Sequence, residues 1–125
     1  MTERLIVDGN NVIGSRPDGW WRDRAAATRR LVERLGARAD SARAPVTVVF
    51  DGPRPKDLEV PPSVDVRFAK RPGRDAADDV IAALVAEDAQ PSSLRVVTSD
   101  SRLAERVRAH GAEVVGARGF RDALG

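Results

Sequence analysis

The sequence predicts an α/β domain with a mainly parallel sheet of four to five strands. Short, nearly continuous apolar runs recur along the chain, as expected of parallel strands covered on both faces. Amphipathic segments of helical length alternate with them, the pattern of βαβ units. The 125 residues suffice to bury one core, and the absence of cysteine excludes disulfides and thiolate-held metals. One domain over residues 1–125 is therefore expected.

Each element has its own signal. Leu5–Val7 is a buried strand running into the polar turn "DGNN". From Trp21, the residues Trp21, Ala25, Thr28, Val32, Leu35 and Ala39 recur in steps of four and three, an apolar stripe with arginines on the other faces. Val46–Phe50 is a second buried strand, and the proline-rich stretch 52–63 reads as a loop. In "VDVRF" (64–68), Val64, Val66 and Phe68 alternate with Asp65 and Arg67, which suits an edge strand with one wet face. The helix "DAADDVIAALVAED" (75–88) opens on an Asp cap, with Ile81, Leu84 and Val85 on one face. Leu94–Thr98 is a strand, "DSRLAERVRAHG" (100–111) a helix ended by Gly111, and Glu113–Val115 a short strand. Phe120–Leu124 closes the pattern as a short helix.

Net charge is +2 and argues little by itself. Its distribution says more: "PRPKD" and "AKRPGRD" place Arg54, Lys56, Lys70, Arg71 and Arg74 in two loops beside acidic positions. The single His110 excludes cleavage by paired imidazoles within one chain, and its place near a helix end reads as solvent-facing. The opening residues carry no long apolar run, so neither a secretory signal nor a membrane span is expected. A cysteine-free chain suits a cytoplasmic location.

The carboxylates acquire meaning from the fold. Ligands of open parallel sheets bind outside the carboxyl ends of the strands. Three strands here run into Asp8, Asp51 and Asp100, and Asp75, Asp78 and Asp79 open a helix that starts at the same edge. Singly, each has a plain reading: Asp8-Gly9 and Asp51-Gly52-Pro53 as turns, Asp100 and Asp75 as helix caps. Together they would repel one another unless a hard cation neutralised them. An oxygen-only ligand set points to Mg²⁺ or Mn²⁺ rather than Zn²⁺. Such an ion can activate water and offset charge on a phosphodiester, while the basic loops hold the substrate backbone. Adjacent helical residues point about 100° apart. Asp78 shares the sheet-facing side with Ile81, so it is the better metal candidate; Asp79 turns toward a supporting or substrate-side role.

At this point "LIVDGNNVI", "ADDVIAALV" and "VVTSDSRLAERVRAHGAEVV", with the closing "GFRDAL", resemble the YacP-like NYN proteins of the PIN-like nucleases. The resemblance covers most of the chain in order. It implies a three-layer α/β/α PIN-like fold and metal-dependent endoribonuclease activity leaving a 5′-phosphate, in RNA processing or turnover. Carried over by motif, the site is Asp8, Asp78 and Asp100, with Asp79 as a fourth acid and Asn11 orienting Asp8. Asp51, in "VVFDG", resembles a further acidic position. Metal ligation thus falls to Asp8, Asp78, Asp100 and Asp51. The partner implied is RNA, with mRNA, tRNA, rRNA and ribosome association all open, for a monomer or homodimer with no membrane contact. The pattern departs after "TSD", where Ser101 and "SRLAE" stand, which bears on substrate choice.

Two other readings stand beside this one. A phospho-receiver domain needs an acidic pair after its first strand and a late lysine; here only Asp8 follows that strand, and no lysine lies beyond residue 70. Haloacid-type phosphatases want D-x-D-x-T/V, which "FDGPR" does not supply. A non-catalytic RNA- or protein-binding module would keep the fold and use Trp20 and Trp21 as a stacking platform. Trp21 reads better as part of the apolar stripe, leaving Trp20 and Arg22 open as substrate contacts.

Overall fold

The computed structural model of the protein describes residues 3–70, 73 and 75–124. Its strands are Arg4–Asp8 (β1), Val46–Phe50 (β2), Val64–Phe68 (β3), Leu94–Val97 (β4) and Glu113–Val115 (β5). Its α-helices are Gly9–Ile13 (α1), Arg24–Ala42 (α2), Ala76–Glu87 (α3), Ser101–Arg108 (α4) and Ala117–Leu124 (α5). The strands form one all-parallel sheet in the order β3-β2-β1-β4-β5. A receiver domain follows the different order 2-1-3-4-5, so that reading falls.

Strand alternation divides the core between two faces. Leu5, Val7, Val48, Phe50 and Val97 point to one side and pack with Leu31, Val32 and Leu35 of α2, with Val12 and Ile13 of α1, and with Phe120 of α5. Ile6, Val49, Leu94 and Val96 point to the other and meet Ile81 and Val85 of α3 and Leu103 and Val107 of α4. This is the expected three-layer α/β/α arrangement. β3 is an edge strand: Asp65 and Arg67 are exposed while Val64 is buried. His110 is solvent-exposed, as expected. No helix among the described residues is long and apolar enough to cross a membrane.

Three local expectations change. "GNNVI" is a turn of α-helix rather than a plain turn, since Val12 and Ile13 are drawn into the core. Gly9 is not there for a left-handed backbone; a Cβ on it would lie 2.3 Å from Phe50 Cε1, so only glycine lets α1 sit against β2. The long helix begins at Arg24, because Asp23 caps it by accepting from the Ala26 N–H. Trp21 therefore leaves the apolar stripe and is 51 % exposed, whereas Trp20, in the 3-10 turn Trp20–Arg22, packs against the core.

The start of β1 is tied down by Arg4, whose guanidinium pairs with both carboxylate oxygens of Asp88 at 2.7 and 2.8 Å. Those bonds, with one from the Gln90 N–H, hold the Asp88 carboxyl at about 2, below its ordinary value. A depressed carboxylate stabilises the fold above its unfolded-state pKa, and that contribution is lost as pH falls through the folded value. Urea unfolding should therefore lose stability between about pH 4 and 2 in the wild type, with a shallower loss in Asp88→Asn. Equal slopes in the two proteins would remove the pair from the stability of the fold.

Candidate active site

The strand order reverses between β1 and β4, the position at which open α/β sheets bind ligands. Register sets the residues there. Val7 pairs with Val97, so the next residues along, Asp8 and Thr98, emerge side by side. Asp8 is only 5 % exposed, and its Oδ2 accepts a hydrogen bond from Thr98 Oγ1 at 3.0 Å. Thr98 Oγ1 in turn accepts from the Asp100 N–H at 3.1 Å. Thr98 thus links the first and third acidic strand ends.

The asparagines of α1 fasten the neighbouring ends. Asn10 Oδ1 accepts from the Asp51 N–H and Asn11 Oδ1 from the Ser99 N–H, each at 2.7 Å. Asn11, expected to orient Asp8, reaches it through its backbone N–H, while its side-chain amide serves the loop after β4. The direction of that side chain along the helical turn carries it across the switch point. Thr98 adds the side-chain hydrogen bond; "TSD" holds that signal, but spacing alone does not show that Thr98 turns inward.

Asp51 and Asp100 each engage one oxygen inside the protein. Asp51 Oδ1 accepts from the Ala77 N–H at 3.1 Å, so it caps α3 from the end of β2. Asp75, expected as that cap, holds the cap position without a side-chain bond. Asp100 Oδ1 caps α4 through the N–H groups of Arg102 and Leu103. Asp78 is half-buried on the first turn of α3, whereas Asp79 is exposed and pairs with Arg106 at 3.0 Å.

The electrostatics reflect this convergence. Burial pushes the Asp8 carboxyl up to about 7, opposed by the Thr98 and Asn11 bonds and reinforced by Asp78 and Asp51. Burial also raises Asp78, to about 6, with repulsion from Asp100, Asp75 and Asp51 adding to it and Arg106 opposing it. A cavity of about 390 Å³ opens over Asp75, Asp78, Asp79 and Asp100, with Arg102 and Arg106 on its wall. Those two arginines lie one turn apart on α4, where the basic runs of the two loops give no sign of them.

Among the described residues, no three acidic or imidazole side chains form a ready-made metal-ligand set. The donor set nonetheless fits a hard dication: every candidate is a carboxylate, and two are held above their ordinary range by burial and mutual repulsion. Of the expected backbone contacts, Arg54 lies over the Phe68 ring at 5.7 Å and lines a second cavity with Asp51. Lys56 is exposed in a loop pinned by Arg29, which donates to its carbonyl. Lys70 is exposed and borders a groove with Asp79. Arg71 and Arg74 lie outside the described residues.

Comparison with known proteins agrees with this fold. The family model for the YacP-like NYN domain matches residues 5–125. A crystal structure of Rae1 (YacP) from Bacillus subtilis is 25 % identical, with a TM-score of 0.80 over 98 % of this chain and 74 % of that one. The W164L mutant of the same protein is 26 % identical, with a TM-score of 0.75 over the same shares. No curated protein matches the chain.

Proposed function

This chain belongs to the YacP-like NYN domain family and has a fold of the PIN-like nuclease type; from that premise we propose that it is a metal-dependent endoribonuclease acting in RNA processing or turnover. One observation carries the proposal: at the carboxyl ends of the strands the charges of Asp78 and Asp51 are felt at Asp8, and those of Asp100 and Asp51 at Asp78.

Asp8, Asp78 and Asp100, supported by Asp51, are the residues that would hold Mg²⁺ or Mn²⁺. Bound there, such an ion supplies water activation and charge neutralisation at the scissile phosphate. The protein's own groups do the rest. Thr98 fixes the Asp8 carboxylate, and the Asn11–Ser99 bond holds the loop that carries Asp100. Arg106 keeps Asp79 at the rim and offsets part of the repulsion on Asp78. Arg54, which shares a cavity with Asp51, and Lys70, which shares a groove with Asp79, would hold the phosphodiester backbone, with Lys56 exposed on the Arg54 loop.

The test is incubation with mixed structured and single-stranded RNAs in Mn²⁺, Mg²⁺ or EDTA. Cleavage should require the divalent ion; cleavage persisting in EDTA refutes the metal site, and binding without cleavage in either metal identifies a non-catalytic module. Metal should also raise the melting temperature, since a ligand at a hundred times its Kd stabilises by about 2.7 kcal/mol. In Asp78→Asn that rise should shrink.

A further inference from the structure

The smaller cavity, about 170 Å³, is lined by Trp20, Arg24, Arg54, Asn10 and Asp51. Its wall includes Asp51, whose charge is felt at both Asp8 and Asp78. Its volume is below that of drug-sized sites and suits a single ring system. Trp20 enters it from a turn preceded by Gly19, whose φ of 87° is the left-handed conformation glycine tolerates. Although Trp20 packs against the core and meets Trp21 edge-to-face, it still lines the cavity, with the Arg24 guanidinium over its ring at 5.6 Å. Arg54 supplies a second cation from the opposite loop. The Asn10 side-chain oxygen is taken by the Asp51 N–H, which leaves its amide N–H groups as donors on the same wall.

An indole, two guanidinium groups and an amide around a ring-sized cavity recognise a flat ring carrying an anionic tether. Resting on the nuclease reading above, we propose that this cavity is a nucleobase subsite: a base flanking the scissile phosphate stacks on Trp20, and Arg24 and Arg54 hold its phosphate. The acidic cleft and this subsite then hold neighbouring nucleotides of one strand, so single-stranded RNA is the preferred form of substrate at this point. Stacking on an aromatic platform tolerates any base sequence.

Trp21→Phe leaves Trp20 as the only indole in the chain. In EDTA, a short single-stranded RNA should alter Trp20 emission, and an abasic oligonucleotide of equal length should bind by charge without altering it. Trp20→Phe and Trp20→Leu should each weaken RNA binding, the Leu variant by roughly tenfold or more, while changing abasic binding less; Arg24→Gln, which removes a phosphate contact, should weaken both. Unchanged Trp20 emission while anisotropy reports bound RNA overturns the subsite, as does equal affinity for RNA and its abasic analogue. The emission measurement needs no substitution at position 20, so a folding defect in the variants does not obscure it. If Trp20 responds but no metal supports cleavage, the nuclease reading falls and the subsite stands. If RNA is cut while Trp20 stays silent, the reverse holds.

Discussion

Asp8→Asn is expected to abolish metal-dependent RNA cleavage and, in EDTA at pH 8, to raise the melting temperature. The two effects share a cause. Asp8 is buried at the switch point beside Asp78 and Asp51, which pushes its carboxyl up to about 7. Between the ordinary carboxylate pKa and about 7, the folded protein binds a proton that the unfolded chain has released. Stability of the metal-free protein therefore falls as pH rises through that window, by about 1.4 kcal/mol for each pH unit traversed. Above it, a buried negative charge persists, relieved only by a cation. Asparagine removes the charge and keeps an oxygen for Thr98. Thermal melts in EDTA from pH 5 to 8 should slope downward in the wild type and less so in the variant. Asp78, raised to about 6, has the same sign and leaves a residual slope. Wild-type cleavage in the variant, or parallel pH slopes, would dissociate Asp8 from both roles.

Gly9→Ala should be the most damaging single methyl in the site. The added carbon would fall 2.3 Å from Phe50 Cε1 and 2.4 Å from Cδ1. The Phe50 ring has no room to retreat: it is 1 % exposed and stacks on Phe68 with centroids 5.3 Å apart. Alanine ordinarily favours a helix over glycine by up to about 1 kcal/mol, but overpacking costs about 1–3 kcal/mol or more, so the clash wins. Urea unfolding should show this loss. Phe50→Leu added to Gly9→Ala should cost less than the sum of the two single changes, since the second substitution opens space for the first. A stable Gly9→Ala protein, or strict additivity, would show that α1 does not depend on this close approach.

The strands were legible because their apolar runs are short and nearly unbroken, and β3 because Val64, Val66 and Phe68 alternate with charges. The acids at the strand ends followed from the fold itself. What escaped was decided by contacts between distant residues. Gly, Asn and β-branched residues make α1 a poor helix by propensity; it forms because Val12 and Ile13 are buried. The apolar spacing runs on past the Asp23 cap to Trp21, so spacing alone exchanges the places of the two tryptophans. Asp51 caps a helix 26 residues away, beyond the reach of any local capping pattern. Between Asn10 and Asn11, spacing cannot say which strand end each amide will meet.

Those two amides make α1 a crossbar. It continues directly from β1, and through Asn10 and Asn11 it grips the backbone at the ends of β2 and β4. The acidic loops are thereby joined in one cooperative unit of local unfolding: fraying a single helical turn releases two strand ends together. In hydrogen exchange, the amides of Asp51 and Ser99 would open in concert with α1 and not as independent loops.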